Sequence, residues 1–133
     1  MKLDLTSFKS AVRSLKEAFD IYKHNKSSSI VRDSVIQRFE YTYGLSVKMV
    51  QRYLKSVLSE SIDVDYLSFN DLIRTANERG LLLSSLEQWR TYREKRNMTS
   101  HTYDQNKAED VVSIVDSFIK DVDFLLDRLD TEI

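Results

Sequence analysis

Apolar residues recur along most of this chain at steps of three and four positions, which is the spacing of one face of an α-helix. Helix breakers are scarce, because the chain contains no Pro and only two Gly. The pattern predicts an all-α protein, an antiparallel up-and-down bundle of four to five helices. We expect residues 1–133 to form a single helical domain, since this length is typical of one.

Two long amphipathic segments open the chain, over about residues 7–24 and 30–59. The apolar stripe of the second is wide, so we expect it to contact several neighbouring helices. Gly44 lies within it, and we expect this glycine to permit a close helix crossing or a bend. The expected core residues are Phe8, Leu15, Phe19, Val35, Phe39, Leu45, Met49, Tyr53, Val111, Val115, Phe118 and Val122.

Polar residues at characteristic positions mark the ends of the later helices. Ser68 begins a capping-box pattern for a third helix, which Gly80 closes as the residue just past its end. Ser85, followed three positions later by Gln88, forms a second capping box at the start of a fourth helix. Asp104 can cap a last helix, which carries a regular apolar stripe.

The net charge of −1 conceals a gradient along the chain. Residues 1–59 carry 11 Lys and Arg against 5 Asp and Glu, whereas residues 108–133 carry 2 against 8. The basic part could attract phosphate groups. Equally, the two parts could attract each other, either within the fold or across a dimer.

Several kinds of chemistry do not fit this composition. The chain has no Cys, which excludes disulfides and thiolate metal sites. It also lacks a glycine-rich phosphate loop, a paired-histidine metal motif and the paired carboxylates of a nucleotidyltransferase, so we expect neither metal nor cofactor. No apolar run approaches the roughly 20 residues needed to cross a bilayer, and the start lacks a signal-peptide pattern. We therefore expect a cytoplasmic protein without membrane contact.

One polar stretch, residues 89–104, concentrates the residues that suit chemistry. It contains the only Trp, one of the two His and a local excess of Arg. Arg96 is always charged and could neutralise a phosphorane, whereas His101 could move a proton near neutral pH and Asn97 could position an oxygen. Together they suit metal-free cleavage of RNA through its 2′-hydroxyl. The alternative is that His101 is a capping or packing residue.

Two alternative roles are compatible with the other residues of this stretch. Arg90 and Arg93 could bind phosphate, or they could form a solvated helix face together with Lys95. Trp89 and Tyr92 fall on the apolar side of the predicted helix, so we expect core packing rather than base stacking.

The spacing within the stretch requires a bend in the backbone. A five-residue step turns about 140° around a straight helix, so Arg96 and His101 would not share a face. Asn97 and His101, four positions apart, would align. We expect a break at residues 98–100, where Thr and Ser weaken a helix, or two copies of the chain meeting across a two-fold axis.

The run Arg-Asn-x-x-x-His-x-Tyr, from Arg96 to Tyr103, resembles the signature of the HEPN superfamily. Residues 31–43 resemble the second helix of its nucleotidyltransferase substrate-binding and HepT-like toxin branch. The resemblance implies a homodimer in which the Arg and His of both chains face one cleft. It implies Arg96, Asn97 and His101 as catalytic residues, RNA as substrate, and a minimal nucleotidyltransferase encoded nearby as partner in a toxin–antitoxin-like pair.

Two functions are compatible with this resemblance. The first is a metal-independent endoribonuclease toxin, and the complete Arg-Asn-x-x-x-His pattern favours it. The second is a non-catalytic subunit that presents a nucleotide or substrate to the nucleotidyltransferase. In the first, Tyr103 would accept adenylate from the partner, and the added phosphate and base would oppose RNA entry. The alternative is that Tyr103 only orients His101 through a hydrogen bond.

Overall fold

The computed structural model describes residues 3–132, and these form only helices and the turns between them. Within that range there is no β-strand, so the all-α prediction is confirmed. The same residues include no helix that is both long and apolar enough to cross a membrane. The α-helices are α1 (Thr6–Lys23), α2 (Ser29–Val57), α3 (Phe69–Glu78), α4 (Leu86–Asn97), α5 (Gln105–Val112) and α6 (Val115–Glu132).

The longest helix, α2, is the element around which the others pack. It has 29 residues and contacts α1, α3, α4, α5 and α6, as its wide apolar stripe predicts. A short turn over residues 24–28 joins α1 to α2, which makes them antiparallel neighbours. Two short 3₁₀ segments complete the fold, Val64–Tyr66 in the crossover to α3 and Thr99–His101 after α4.

The predicted core is buried at ten of its twelve positions. The two exceptions, Phe19 and Leu45, are half-buried and pack against the edge of the core. Phe19 stacks on Tyr22, with ring centroids 6.4 Å apart, and carries the Lys23 ammonium over its ring at 5.3 Å. Its ring therefore covers the side of α1 instead of filling the interior.

Five aromatic rings form the centre of the bundle, and we refer to them as the aromatic cluster. Trp89 and Tyr92 of α4 are fully buried, which confirms their predicted place in the core. The ring centroid of Tyr92 lies 5.3 Å from that of Trp89 and 5.1 Å from that of Phe118, in edge-to-face contacts. Phe39 meets Phe118 at 4.8 Å, and Tyr43 completes the group. The aromatic cluster thereby joins α4 to α2 and α6.

Three of the predicted helix ends are confirmed. The Ser68 hydroxyl accepts the backbone N–H of Asp71 at 3.1 Å. Gly80 has a φ of 72°, a left-handed conformation that favours glycine, and it closes α3 as predicted. The Asp104 carboxylate accepts the backbone N–H groups of Asn106 and Lys107 at 3.0 and 3.2 Å, which caps α5.

The second predicted capping box does not form. Ser85 precedes α4 but makes no side-chain cap hydrogen bond. Its neighbour Ser84 instead donates its backbone N–H and its hydroxyl to the Asp121 carboxylate of α6, at 3.1 and 2.9 Å. A buried carboxylate from a distant helix therefore fixes the start of α4.

Two further local expectations differ from the structure. Gly44 is exposed on α2, and a Cβ atom there would meet nothing within 4 Å, so of its two predicted roles, a close helix crossing or a bend, the close crossing is wrong. The expected last helix is divided into α5 and α6 at residues 113–114. At that point the Ser113 hydroxyl donates to the carbonyl of Asp110 at 2.6 Å, a side-chain bond that competes with regular helix geometry.

The charge gradient is partly neutralised inside the fold. Lys9 and Lys16 of α1 lie 3.4 and 2.6 Å from the carboxylates of Asp130 and Asp123 on α6. These four residues line an open groove of about 480 Å³, which we call the α1–α6 groove. The attraction between the basic and acidic parts therefore operates within one chain.

Candidate functional site

The outer surface of α4 is polar along its whole length, because only Trp89 and Tyr92 turn inward to be buried. An open groove of about 490 Å³ runs along this surface. We call it the α4 groove, and it is lined by Glu87, Arg90, Thr91, Arg93, Glu94 and Asn97. Three of the predicted site residues, Arg90, Arg93 and Asn97, therefore share one surface.

The arginines of α4 differ from its lysine in their partners. Lys95 is largely covered and pairs with Asp110 of α5 at 2.9 Å, so it belongs to the packing between helices. Arg90, Arg93 and Arg96 are exposed, and within residues 3–131 none of them forms an ion pair with a carboxylate. Their fixed positive charges remain free to meet an anion.

Tyr43 of α2 lies behind two of these arginines. Burial raises the pKa of Tyr43 to about 12, although the nearby positive charges of Arg93 and Arg96 act to lower it. The phenol is therefore neutral near neutral pH. Because the neutral phenol carries no negative charge, it does not compensate the positive charges of the two guanidinium groups.

The predicted break in the helix is present. α4 ends at Asn97, the backbone turns at Met98, and a short 3₁₀ segment holds His101 as its last residue. Arg96 and His101 thus belong to separate segments, and the 140° separation calculated for one straight helix does not apply. The backbone N–H of His101 donates to the carbonyl of Met98 at 3.0 Å, which keeps the connection tight.

Side chains of α2 hold this connection at two points. The Thr99 hydroxyl donates to the carboxylate of Glu40, and the Arg32 guanidinium donates to the backbone carbonyl of Thr102 at 3.4 Å. Arg32 and Glu40 were not among the predicted site residues. They lie 70 and 59 positions from their partners, so no local pattern could reveal these contacts.

His101 and Tyr103 lie side by side at the surface. His101 is half-buried, and its Nδ1 is 3.5 Å from the Tyr103 hydroxyl oxygen. The two ring centroids are 6.0 Å apart in an edge-to-face arrangement. Tyr103 is 84% exposed, so its phenol is accessible to solvent as well as within reach of His101.

The inner side of α4 is fixed by a buried polar group. Asp121 of α6 is 1% exposed, and it accepts hydrogen bonds from the Tyr92 hydroxyl and from Ser84. Burial, together with the hydrogen bond to Asp121, raises the pKa of Tyr92. These contacts set the position of α4 relative to α6, and with it the position of the arginines on the opposite side.

The arrangement supplies fixed positive charge, an amide and an imidazole at one end of α4. Arg96 can stabilise developing negative charge, Asn97 can donate or accept a hydrogen bond, and His101 can transfer a proton. Among the side chains of residues 3–131, no three His, Asp or Glu come together in a group that could hold a metal ion. The chemistry that these side chains can perform themselves is proton transfer with anion stabilisation.

Comparison with known sequences covers nearly the whole chain. Residues 3–131 match the family described as nucleotidyltransferase substrate binding protein like. A protein of Haemophilus influenzae named "Probable ribonuclease HepT" is 37% identical over 136 aligned residues, covering 96% of this chain and 92% of that protein.

Comparison with solved structures agrees with this assignment. HI0074 of Haemophilus influenzae, described as showing the fold of a substrate binding domain of a nucleotidyltransferase, superposes with a TM-score of 0.87 at 34% identity. The match covers 95% of this chain and 98% of HI0074. A protein of Thermus thermophilus superposes with a TM-score of 0.70 at 30% identity over 92% of this chain and 98% of its own. The chain therefore belongs to the nucleotidyltransferase substrate binding protein-like family.

Proposed function

We propose that the chain is a metal-independent endoribonuclease, the toxin of a toxin–antitoxin pair whose other member is a minimal nucleotidyltransferase. The observation that carries the proposal is the end of α4, where the exposed Arg96 and Asn97 precede a separate turn that holds His101. The relative named as a ribonuclease supports the reaction class. The family description supports a nucleotidyltransferase partner, which we expect to be encoded nearby and to act with this chain in the cytoplasm.

In the proposed reaction, the 2′-hydroxyl oxygen attacks the adjacent phosphorus and the bond from phosphorus to the 5′ oxygen breaks. His101 takes the hydroxyl proton or delivers a proton to the leaving oxygen, and solvent water completes the other proton transfer. Arg96 neutralises the charge that builds on the phosphorane, and Asn97 orients a phosphate oxygen. The products are a 2′,3′-cyclic phosphate and a 5′-hydroxyl end.

We infer that two copies of the chain pair about a two-fold axis, so that both sets of Arg96 and His101 line one cleft. The exposed guanidinium groups on α4 support a shared anion site of this kind. Light scattering at micromolar concentration is expected to give the mass of a dimer. A monomer at that concentration would contradict the pairing.

We also propose Tyr103 as the residue that the partner modifies. Its 84% exposure and its position beside His101 support this role. The phenol oxygen would attack the α-phosphorus of ATP, pyrophosphate would leave, and the phenol proton would pass to solvent. The attached phosphate would attract the nearby guanidinium groups and occupy the path of RNA. Co-expression with the nucleotidyltransferase should add adenylate mass to the wild-type chain and none to Tyr103→Phe.

The decisive experiment incubates purified protein with RNA in the presence of a chelator and identifies the ends produced. The wild-type chain should leave 2′,3′-cyclic phosphate, whereas Arg96→Ala and His101→Ala should leave RNA intact while melting normally. His24→Ala is the matched control, because His24 is exposed just past the end of α1 and its ring bonds the carbonyl of Asp20 in that helix.

A second function remains in competition, a non-catalytic subunit that presents substrate to the nucleotidyltransferase. The similarity to HI0074, described as a substrate binding domain, favours it. If the wild-type chain leaves RNA intact but binds the nucleotidyltransferase, this second function replaces the first.

A further inference from the structure

The guanidinium group of Arg93 rests on an aromatic ring. Its central carbon lies 4.8 Å from the ring centroid of Phe69, the first residue of α3. Phe69 is half-buried and packs against the core, so the ring is a fixed support. Arg93 itself is exposed, lines the α4 groove, and has no carboxylate partner within the described part of the chain. The guanidinium group is thus in contact with the Phe69 ring, and it borders an open groove.

The α4 groove does not have the composition of a simple phosphate site. It includes the carboxylates of Glu87 and Glu94, which repel phosphate, together with Arg90 and Asn97. Carboxylates are suitable acceptors for the amino groups of nucleobases. The groove volume of about 490 Å³ falls within the range of ligand pockets, about 300–1,000 Å³.

We propose that the α4 groove binds a nucleobase of single-stranded RNA, which stacks on the guanidinium plane of Arg93 with Phe69 behind it. The amino group of the base donates to Glu87 or Glu94. Stacking on arginine planes and aromatic rings is how unpaired bases are commonly held. The inference rests on the proposed function for its ligand, RNA, and adds a base-binding subsite next to the phosphate that Arg96 neutralises.

This subsite makes two demands on the RNA. The base must be unstacked to reach Arg93, so duplex RNA is a poor ligand. The base should carry an amino group, so adenosine is preferred over uridine. Neither preference would arise from arginine–phosphate contacts alone, because these are the same at every nucleotide.

The test measures binding by the His101→Ala protein, so that the RNA survives. Labelled oligomers of adenosine, of uridine and of abasic ribose phosphate, all of one length, carry the same charge and differ only in the base. Fluorescence anisotropy should show adenosine binding about tenfold more tightly than the abasic oligomer, the scale expected for stacking of one base. Uridine should fall between them.

Two substitutions separate stacking from charge. Arg93→Lys keeps the positive charge but removes the planar guanidinium group. Phe69→Leu keeps an apolar side chain but removes the aromatic ring. Both should bind the three oligomers nearly equally. Arg74→Lys is the control, because Arg74 is exposed on α3 and pairs with Asp71. Arg93→Lys changes an exposed side chain, so its result stands even if Phe69→Leu disturbs the fold.

The subsite is overturned if the His101→Ala protein, carrying no other substitution, binds all three oligomers equally, or if Arg93→Lys retains the adenosine preference. If the wild-type chain cleaves RNA without any base preference, the proposed subsite is contradicted and the proposed ribonuclease activity is supported. If binding depends on the base but no cleavage occurs, the proposed ribonuclease activity is contradicted and the proposed subsite is supported.

Discussion

The α1–α6 groove and the α4 groove have nearly the same volume, and both are lined with charged side chains. They differ in whether their cationic side chains form ion pairs with carboxylates. In the α1–α6 groove, Lys9 and Lys16 meet carboxylates at 3.4 and 2.6 Å. In the α4 groove, Arg90 and Arg93 have no such partner within residues 3–131. Two lysines of the basic part of the sequence thus take part in attraction within the fold. The arginines of α4 come from the nearly neutral middle of the chain, so net charge by segment does not locate the candidate site.

The largest expected effect comes from removing the support behind α4 while leaving the α1–α6 ion pairs in place. Phe39 is fully buried in the aromatic cluster. Phe39→Ala should lower the free energy of unfolding by about 3–5 kcal/mol, measured by urea denaturation. Tyr66→Ala, at an 88% exposed position, should change it by less than about 0.5 kcal/mol. A loss below about 1 kcal/mol for Phe39→Ala would contradict the packing described.

The difference between the arginines of α4 and the lysines of the α1–α6 groove is tested most directly by paired charge removals. Arg96→Ala should lower the initial rate of RNA cleavage at least about 100-fold, because a charge at the reacting phosphate is lost. Lys16→Ala should leave that rate unchanged. Both side chains are exposed, so neither substitution should move the free energy of unfolding by more than about 1 kcal/mol. Equal rate losses in the two variants would contradict the proposed difference in role between Arg96 and Lys16.

The proposed reaction should also depend on α2, which holds the turn that carries His101. Glu40→Ala removes the acceptor that holds Thr99, and should lower the turnover number about tenfold with little change in KM. Thr99→Ala in the same chain should add little further loss, because both changes remove one contact. Glu17→Ala on α1 is the control. Additive losses from Glu40→Ala and Thr99→Ala would mean that the two residues act separately.

A smaller effect should appear at alkaline pH. The pKa of Tyr43 is about 12 in the folded chain against 10.0 ordinarily, so between these values the folded state holds more protons than the unfolded state. Stability should therefore be unaffected below about pH 10 and fall as the pH rises toward 12. Urea midpoints across this range should fall less steeply in Tyr43→Phe. Tyr66→Phe should follow the wild type, since Tyr66 is exposed.

The smallest effect is expected from the ion pairs of the α1–α6 groove themselves. Lys16 and Asp123 are both almost half exposed, which makes their attraction weak. A double-mutant cycle with Lys16→Ala and Asp123→Ala should give a coupling energy of about 0.2–1 kcal/mol, declining in high salt. A coupling of several kcal/mol would show that these pairs fix the fold.

The features that sequence could predict are those with local causes. The period of apolar residues located the helices and placed Trp89 and Tyr92 inside. The caps by Ser68 and Asp104 depend on residues two or three positions away, and the end of α4 at Asn97 follows from the weak helix formers after it.

The features that sequence could not predict depend on residues far apart in the chain. Ser84 and Asp121 are 37 positions apart, and their contact replaces the local cap expected from Ser85. The bond from Thr99 to Glu40 spans 59 positions. A glycine such as Gly44 carries no side chain to indicate which way it faces, and here it faces open space. The roles of the site residues remain predictions.

The hydrogen bonds between Ser84 and Asp121 also determine when α4 can reach its final position during synthesis of the chain. During synthesis the chain leaves the ribosome from its amino terminus, so α4 emerges well before Asp121 does. Until then, Tyr92 and Ser84 lack the carboxylate that fixes them, and α4 cannot take its final place against α6. A nascent chain therefore carries its arginines without the geometry that the proposed reaction requires.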